Sequence, residues 1–431
     1  MFDWKNLLLA WRIPEVRRKF LIVGALLLVF RIAAIIPVPG LDPASLKSLF
    51  SGNQLFGLLD IFSGGGLSNL SILMLGVGPY ITASIVMQLL TMIIPRLEEM
   101  QKEEGEAGRR KINQWTRLLT VPLAAIQAFA FINLLERGAR GGVGLGLSFT
   151  PWQLMVTIIT ITAGTIFLMW LGELISEQGI GNGTSLIIFV GIISRLPKAF
   201  AQARATFTPD LLVTYIGFAI VSLIVIAGVV IITEGQRAIP VSYAKRVRGN
   251  RIYGGSSTHL PLRVNQAGVI PIIFALSIML FPGVIANFLV GVHNATVSHL
   301  AQRVVEAFAN QTFYGVLYFI LVVVFTYFYT SVTFDPHQIS ENVQKQGGFV
   351  PGIRPGRQTM KYLKYVVNRT TFTGALFLGF IAVLPLILQA ATGLRTLTIG
   401  GTALLIVVSV VLETMKQIES QLTMRQYEGL A

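Results

Sequence analysis

The residues that could do chemistry in this 431-residue sequence are few and scattered. There is no cysteine, so a thiol nucleophile, a disulfide framework and a cysteine-ligated metal are excluded. Four histidines fall in loops between apolar runs, and no two of them have the spacing of metal ligands: His259, His293, His299 and His337. We therefore predict no catalytic residue, no bound metal and no cofactor.

Acidic residues are missing from the middle of the apolar runs and occur only at run ends, as Glu173, Glu234 and Glu413 do. Ion-coupled transporters usually need ionisable groups at membrane depth, and an intramembrane enzyme needs a nucleophile and a base there. The runs hold neither set, so a secondary transporter of a small solute stays the alternative and an intramembrane enzyme is disfavoured. Arg31 is the one charge placed deep in a run. It could line a water path, but a structural pairing within the bundle is the better interpretation, because intramembrane charges usually pair.

The elements that carry these residues are predicted membrane spans. Hydrophobic residues make up 53% of the chain and charged residues 13%, about half the charged fraction of soluble domains. Ten apolar runs are candidate helical spans: about 20–37, 72–94, 115–135, 152–174, 183–196, 211–232, 267–290, 313–333, 370–390 and 399–415. The sequence predicts an all-α polytopic membrane protein with ten transmembrane helices, of which the fifth is short.

The distribution of basic residues predicts the orientation of these spans. With the N-terminus in the cytoplasm, the cytoplasmic segments hold 25 of the 34 Lys and Arg residues and the outer loops hold 8, with Arg31 inside a span. Cytoplasmic loops carry such an excess in multi-pass proteins. Both termini are therefore predicted to be cytoplasmic.

The stretch from Asp60 to Pro95 departs from the simple pattern of helix and loop. Ser63-Gly64-Gly65-Gly66 interrupts any helix, and the apolar run 72–94 follows without an intervening loop, as a predicted full helical span. Irregular backbone at membrane depth is tolerated only where protein buries it or a cavity wets it. We expect a cavity on one side of the membrane with this short segment folded into it.

An internal repeat relates spans that lie five apart. Span five begins GTSLII at Gly183 and span ten begins GTALLI at Gly401; span two carries PYITA from Pro79 and span seven carries PIIFA from Pro271. An odd number of spans per repeat inverts the second half. The sequence predicts two five-helix halves, residues 1–200 and 201–431, with a functional site between them.

Two long basic loops are predicted on the cytoplasmic side, at about 234–265 and 335–369. In the first, Ile239–Val247 and Arg251–Tyr253 are predicted strands of a hairpin. In the second, the motif PGIRPG fixes a turn that presents Arg354. The usual excess of basic residues in cytoplasmic loops would explain these charges. That excess alone does not require a hairpin or a turn fixed by proline and glycine. A docking surface for an acidic or nucleic-acid partner, such as ribosomal RNA, would use both.

Five stretches together resemble the SecY family of protein-conducting channels over essentially the full chain: FSGGGLSNLSILMLGVGPYITASI (62–85), GIGNGTSLIIFVGI (179–192), YAKRVRGNRIYGGSSTHLPLRVNQAGVIP (243–271), GGFVPGIRPG (347–356) and GGTALLIVV (400–408). The resemblance implies ten helices in two halves around a central pore, a plug, and a lateral gate between spans two and seven. It implies a non-enzymatic channel that passes unfolded secretory polypeptides across the membrane and releases transmembrane segments into the lipid bilayer.

The same resemblance implies a location in the bacterial cytoplasmic (inner) membrane. It implies several partners: the small membrane subunits SecE and SecG, the motor ATPase SecA, a translating ribosome that contacts the basic loops through its RNA, and secretory preproteins. The plug would be roughly Asp60–Ser71. Its three consecutive glycines cost backbone entropy, which favours a movable plug over a rigid anchor.

Three sets of site residues carry over from the family. The pore ring maps to Ile81, Ile85, Ile188, Ile192, Ile273 and Ile406. The plug includes Phe62, Ser63, Gly64, Gly65, Gly66, Leu67, Ser68 and Asn69. The residues expected to dock cytoplasmic partners are Lys245, Arg246, Arg248, Arg251, Arg354 and Arg357. A single isoleucine in a span usually packs against lipid or in the core. In spans two and five, however, the i, i+4 spacing of Ile81 with Ile85 and of Ile188 with Ile192 places each pair on one helix face.

Overall fold

The computed structural model describes residues 13–39, 63, 65–67, 69–102, 104–140, 150–205, 208–209, 212–243, 246–248, 251–253, 257–290, 294–392 and 398–428. The chain forms two compact units. Unit 1 comprises Met1–Leu212, Leu276–Gln311 and Val410–Ala431, and unit 2 comprises Val213–Ala275 and Thr312–Ser409. The predicted inverted halves, which divide near residue 200, are a different partition and stay a prediction.

Fourteen helices are present in the described residues. Up to the first long loop they are α1 (Pro14–Ala33), α2 (Gly78–Ile93), α3 (Pro95–Lys102), α4 (Gly105–Arg140), α5 (Pro151–Glu177), α6 (Gly183–Ile193), α7 (Leu196–Ala205) and α8 (Leu212–Glu234). After it they are α9 (Ile270–Leu289), α10 (Ala295–Ala309), α11 (Gln311–Thr333), α12 (Pro336–Lys345), α13 (Arg357–Thr392) and α14 (Thr398–Glu428).

Several of these helices have the length and apolarity of membrane spans. In the described part of the chain five qualify, namely α4, α5, α8, α11 with its continuation into α12, and α13. The pair α2 and α3 adds a sixth if the two count as one span broken by a bend of 106°. Helix α6 is apolar but has only 11 residues, which confirms that the fifth run is short. The chain is a multi-pass helical membrane protein, and the total of ten spans stays a prediction.

The predicted helical start of span two at residue 72 is wrong. Residues 72–77 form turns and α2 begins at Gly78. Gly76 adopts a positive φ of 59°, and Pro79 lies in the first turn of α2. Proline is favoured in a first turn and disfavoured in a helix interior. The chain therefore turns before the proline, and helical backbone starts only where the sequence permits it.

Close backbone approaches at glycine hold α5 in unit 1. A side chain at position 164 of α5 would collide with the carbonyl oxygen of Ile72, and one at position 183 would collide with the carbonyl oxygen of Gly172. The turn between α5 and α6 is closed by hydrogen bonds: Gly183 N–H donates to Ser176 Oγ (2.9 Å) and Ser185 N–H donates to Asn182 Oδ1 (3.2 Å). These contacts fix the start of the short helix α6 against α5.

Unit 2 combines the two basic loops in one sheet. Strand β1 (Gln236–Tyr243) pairs antiparallel with β4 (Ser257–Arg263) and, on its other edge, with β5 (Gly348–Phe349). Strands β2 (Arg246–Arg248) and β3 (Arg251–Tyr253) form a separate hairpin. We call β1–β5, α12 and the first three turns of α13 the loop module.

A hairpin is present in the first loop, as expected, and it is formed by β2 and β3. The predicted strand Ile239–Val247 corresponds to two strands, β1 and β2, with Ala244 and Lys245 outside the described residues. The strand that pairs with β1 over seven residues is β4, which the sequence did not indicate. Pro261 lies in β4, and a proline argues against a central strand but is compatible with the sheet edge that β4 occupies.

Candidate pore, plug and docking sites

All six predicted pore residues are buried. Their exposed fractions are at most 5%, so none of them faces lipid: Ile81, Ile85, Ile188, Ile192, Ile273 and Ile406. Ile81 and Ile85 occupy successive turns of α2, and Ile188 and Ile192 occupy successive turns of α6. These four belong to unit 1, whereas Ile273 and Ile406 belong to unit 2. The closure of the six into one ring stays a prediction.

The local structure around Ile81 recurs around Ile273. Each residue is the fourth of its helix, and proline is the second residue in both. The Ile81 N–H donates to Val77 O (3.0 Å) and the Ile273 N–H donates to Val269 O (3.2 Å). This equivalence at the start of α2 and α9 supports the predicted repeat. Helix α14 differs, because it begins three residues before Gly401 whereas α6 begins at Gly183 itself.

The predicted plug residues Phe62, Gly64 and Ser68 lie outside the described residues. Ser63 is buried, and its Oγ accepts a hydrogen bond from Leu67 N–H (2.9 Å) while its carbonyl accepts one from Gly66 N–H (3.1 Å). A side chain at Gly65 would meet the Arg195 guanidinium at 3.4 Å, and Gly65 has a φ of 89°. Only glycine takes this backbone conformation without strain.

The end of the predicted plug, from Leu67 to Ser71, is packed into the core of unit 1. Leu67 and Leu70 are fully buried among apolar residues of α4 and α5: Ala128, Phe131, Ile132 and Ile161. Ser71 pairs with Pro37, and the flanking bonds run from Val38 N–H to Leu70 O (2.8 Å) and from Ile72 N–H to Ile36 O (3.0 Å). The segment that follows Gly66 is thus anchored by packing and by backbone hydrogen bonds, a feature that composition did not reveal.

Arg31 occupies the last turn of α1, because this helix ends at Ala33 and not near residue 37. The predicted end of the first span is therefore wrong, and the depth of Arg31 in the membrane stays a prediction. A basic residue at a helix C-terminus is stabilised by the helix dipole, and the Arg31 guanidinium lies 5.9 Å from the centroid of the Phe30 ring. Glu173 of α5 forms an ion pair with Arg117 of α4 (2.7 Å).

The turn that carries Arg354 is held rigidly in the loop module. Arg354 itself is exposed, as is Arg357 at the start of α13. The Thr359 hydroxyl donates to Arg354 O (3.0 Å), and the Ser340 hydroxyl of α12 donates to Gly356 O (2.8 Å). Gly352 and Gly356 adopt φ values of 81° and 89°. The sequence predicted the turn and its exposed arginine, but Ser340 lies 16 residues from its partner and has no local signal.

An apolar core joins the turn to the sheet. Ile353, next to Arg354, packs against a buried cluster drawn from both loops and α13: Ile239, Leu262, Val350, Leu363, Val366 and Val367. The strand register pairs Arg248 with Arg251, and alternate residues of a strand share a face, so the positions of Arg246, Arg248 and Arg251 belong to one face of the β2–β3 hairpin. Lys245 lies outside the described residues. The Arg354 turn thus shares a core with the β1–β4 sheet, whereas the basic hairpin β2–β3 forms a sheet of its own.

These elements define a class: a multi-pass helical membrane protein with a broken second span, a glycine-rich buried segment before it, and a basic module built from two loops. A sequence model of the SecY family matches residues 71–415. The chain is 45% identical over 433 residues to the protein translocase subunit SecY of Streptomyces galbus, covering 97% of this chain and 98% of the relative. The corresponding protein of Mycobacterium tuberculosis is 44% identical over 437 residues, with 97% of each chain covered. The chain therefore belongs to the SecY family.

Solved structures agree on the fold. The structure of a protein-conducting channel superposes with a TM-score of 0.64 at 21% identity, covering 92% of this chain and 90% of that one. Sec61 in the canine ribosome-channel complex gives a TM-score of 0.60 at 22% identity, with the same coverage. At these identities the likeness establishes the fold and leaves site residues to be argued from this chain.

Proposed function

We propose that this chain is the channel through which unfolded secretory polypeptides cross the membrane and from which transmembrane segments pass sideways into lipid. The observation that carries the proposal is membership of the SecY family over nearly the full length of the relatives. The fold of protein-conducting channels supports it. A secondary transporter is not favoured, because the apolar runs of the sequence hold no pair of acidic residues at mid-depth. We propose no enzymatic activity.

Cross-linking of a stalled secretory chain tests the proposal. The sequence has no cysteine, so Ile81→Cys and Ile406→Cys each provide a single attachment point for a photoreactive probe. Both probes should cross-link to the stalled polypeptide. Leu223→Cys on α8 is the control. Leu223 is 66% exposed on the surface expected to face lipid, so a probe there should give no cross-link to the stalled polypeptide. A stalled chain that reacts equally at all three positions, or at neither Ile81 nor Ile406, would contradict a pore at these residues.

The loop module is the proposed cytoplasmic docking surface. Relatives of the same fold have been solved on ribosomes, as Sec61 and yeast Ssh1. The exposed Arg354 and Arg357 and the basic hairpin positions suit a partner with acidic or phosphate groups. We propose that the motor ATPase SecA and the ribosome bind here, that SecE and SecG associate with the spans, and that the bacterial cytoplasmic membrane holds both termini on its inner side.

Charge reversal at Arg354 tests the docking surface. Arg354→Glu should abolish motor-driven translocation in inverted vesicles while the protein stays folded and inserted, because the side chain is exposed. Arg303→Glu, an equal charge change at an exposed site in a predicted outer loop, is the matched control and should translocate normally. Translocation at the normal rate by Arg354→Glu would show that the docking role is wrong.

A further inference from the structure

Helix α10 lies between two apolar helices, five residues after α9 and one residue before α11. It follows α9, which ends at Leu289, and only Asn310 separates its last residue from the first residue of α11. The Ser298 hydroxyl donates to Val290 O (2.7 Å), which fastens the first turn of α10 to the end of α9. Asn310 has an extended backbone with φ −73° and ψ 112°, so helical backbone stops there. Since one residue reaches about 3.5 Å, α10 cannot leave the boundary of the bilayer.

The residues of α10 divide into two faces at helical spacing. Val297, Ala301, Val304 and Phe308 recur at intervals of three or four and form, with Leu300, an apolar stripe. The opposite face carries exposed polar residues: His299, Gln302, Arg303 and Glu306. The helix is thus amphipathic along all of its 15 residues.

The protein covers most of the apolar stripe and leaves exposed the edge that carries Leu300. Ala301 is 4% exposed, and Val297, Val304 and Phe308 are partly buried, whereas Leu300 is 67% exposed. Phe313, in the first turn of α11, is a second large apolar side chain left 46% exposed close by in the chain. A lone exposed leucine is ordinary on a soluble surface, but here it extends an amphipathic stripe that is tethered to the membrane boundary at both ends.

We propose that α10 is a membrane-surface anchor, which lies in the plane of the lipid headgroups with Leu300 inserted toward the acyl chains and the polar face in water. Amphipathic helices bind bilayers in this way through their apolar face. Arg303 and Glu306 cancel each other's charge, so lipid contact rests on apolar burial and not on attraction to anionic headgroups. The outer leaflet follows from the proposed orientation of the spans, whereas the lipid contact does not depend on it.

The test uses polarity-sensitive labels in vesicles that contain the full chain. Leu300→Cys and Gln302→Cys each give one labelling site, since the sequence has no cysteine. Gln302 is exposed on the opposite face and serves as the matched control. A nitrobenzoxadiazole label at position 300 should show a blue-shifted emission, quenching by lipids that carry a spin label near the headgroup, and little quenching by iodide. The label at position 302 should show the reverse.

Salt and lipid charge provide a second readout. Raising the salt concentration, or replacing neutral by anionic lipid, should leave the emission at position 300 unchanged. Strong iodide quenching at position 300 would show that Leu300 faces water and would overturn the proposal. Protection from both quenchers would overturn it as well, because a protein surface would then cover Leu300. Neither result would bear on translocation itself, which the cross-linking experiment tests separately.

Discussion

Two hydroxyl groups keep the Arg354 turn in place, and each can be removed without changing a charge. Thr359 is 2% exposed and donates to Arg354 O (3.0 Å). Thr359→Val preserves shape but removes the donor, so the turn should loosen and motor-driven translocation should fall, with membrane insertion unchanged. The loss of one such bond is worth about 0.5–1.5 kcal/mol. Thr359→Ser keeps the hydroxyl and should restore translocation, as measured in inverted vesicles. Equal activity of the valine and serine variants would mean that the hydrogen bond does not position Arg354.

Gly183 allows the start of α6 to lie in close contact with the backbone of α5. A methyl group at this position would collide with the carbonyl oxygen of Gly172, so Gly183→Ala should force α5 and α6 apart. Overpacking of this kind costs about 1–3 kcal/mol, which thermal unfolding in detergent would detect as a lower Tm. Gly217→Ala on α8, where no atom lies within 4 Å of the added methyl, is the control and should be neutral or stabilising. An unchanged Tm for Gly183→Ala would show that the two helices can separate freely at this point.

At the level of elements, the segment before α2 shows what the sequence could and could not predict. The glycines and the absence of a loop indicated irregular backbone held at membrane depth, and the described turns from residue 65 onward agree with that. The expected helical start at residue 72 failed because apolarity does not distinguish a helix from buried turns. The positive φ of Gly76 and the position of Pro79 determine where helix α2 begins, and hydropathy carries no information about either of them.

The same segment leads to a prediction about which part of the proposed plug can move. The whole segment Asp60–Ser71 was expected to move, but Leu67 and Leu70 belong to the core of unit 1, so we now predict that only the part before Gly66 moves. Deleting 60–65 should leave a folded protein whose resting membrane leaks ions, as conductance in planar bilayers would report. Deleting 60–71 should also lower the Tm, since removal of one buried leucine side chain already costs about 2–5 kcal/mol. If both deletions gave the same Tm, Leu67–Ser71 would not act as an anchor. If the membrane with the 60–65 deletion did not leak ions, the segment would not act as a plug.

Across the whole molecule, the sequence predicted both basic loops but not how they join. Strand β5 is only two residues long, Gly348–Phe349, yet it brings the second loop onto the β1 edge of the first, through Ser242 and Tyr243. No composition or periodicity marks a two-residue strand, because its partner lies about a hundred positions away in the sequence. The sheet β4-β1-β5 and the apolar cluster below it therefore join the Arg354 turn of the second loop to the first loop.

The last prediction concerns the proposed isoleucine ring, which must block ions at rest and yet admit a polypeptide. An apolar collar meets both demands, because water leaves a narrow hydrophobic constriction and side chains can swing aside around a passing chain. Replacing Ile81, Ile188, Ile273 and Ile406 together with Asn keeps the number of side-chain heavy atoms but makes the collar wettable. This variant should conduct ions without substrate and should accept chains with defective signal sequences. The four leucine substitutions should preserve the seal, since apolarity and bulk close the pore in this mechanism.

Burial alone does not separate a pore residue from a core residue, since all four isoleucines are at most 5% exposed. Ile187→Asn provides the control, because Ile187 is 1% exposed and packs toward Gly172 of α5. A buried amide there has no hydrogen-bond partner to replace water, so Ile187→Asn should lower the Tm without opening a conductance. The fourfold Asn variant should do the opposite: its Tm should change less than that of Ile187→Asn, while single-channel recordings in planar bilayers show current. A silent Asn variant would place the seal elsewhere, and a folded Leu variant that leaks as much as the Asn variant would mean that side-chain shape, and not dewetting, closes the pore.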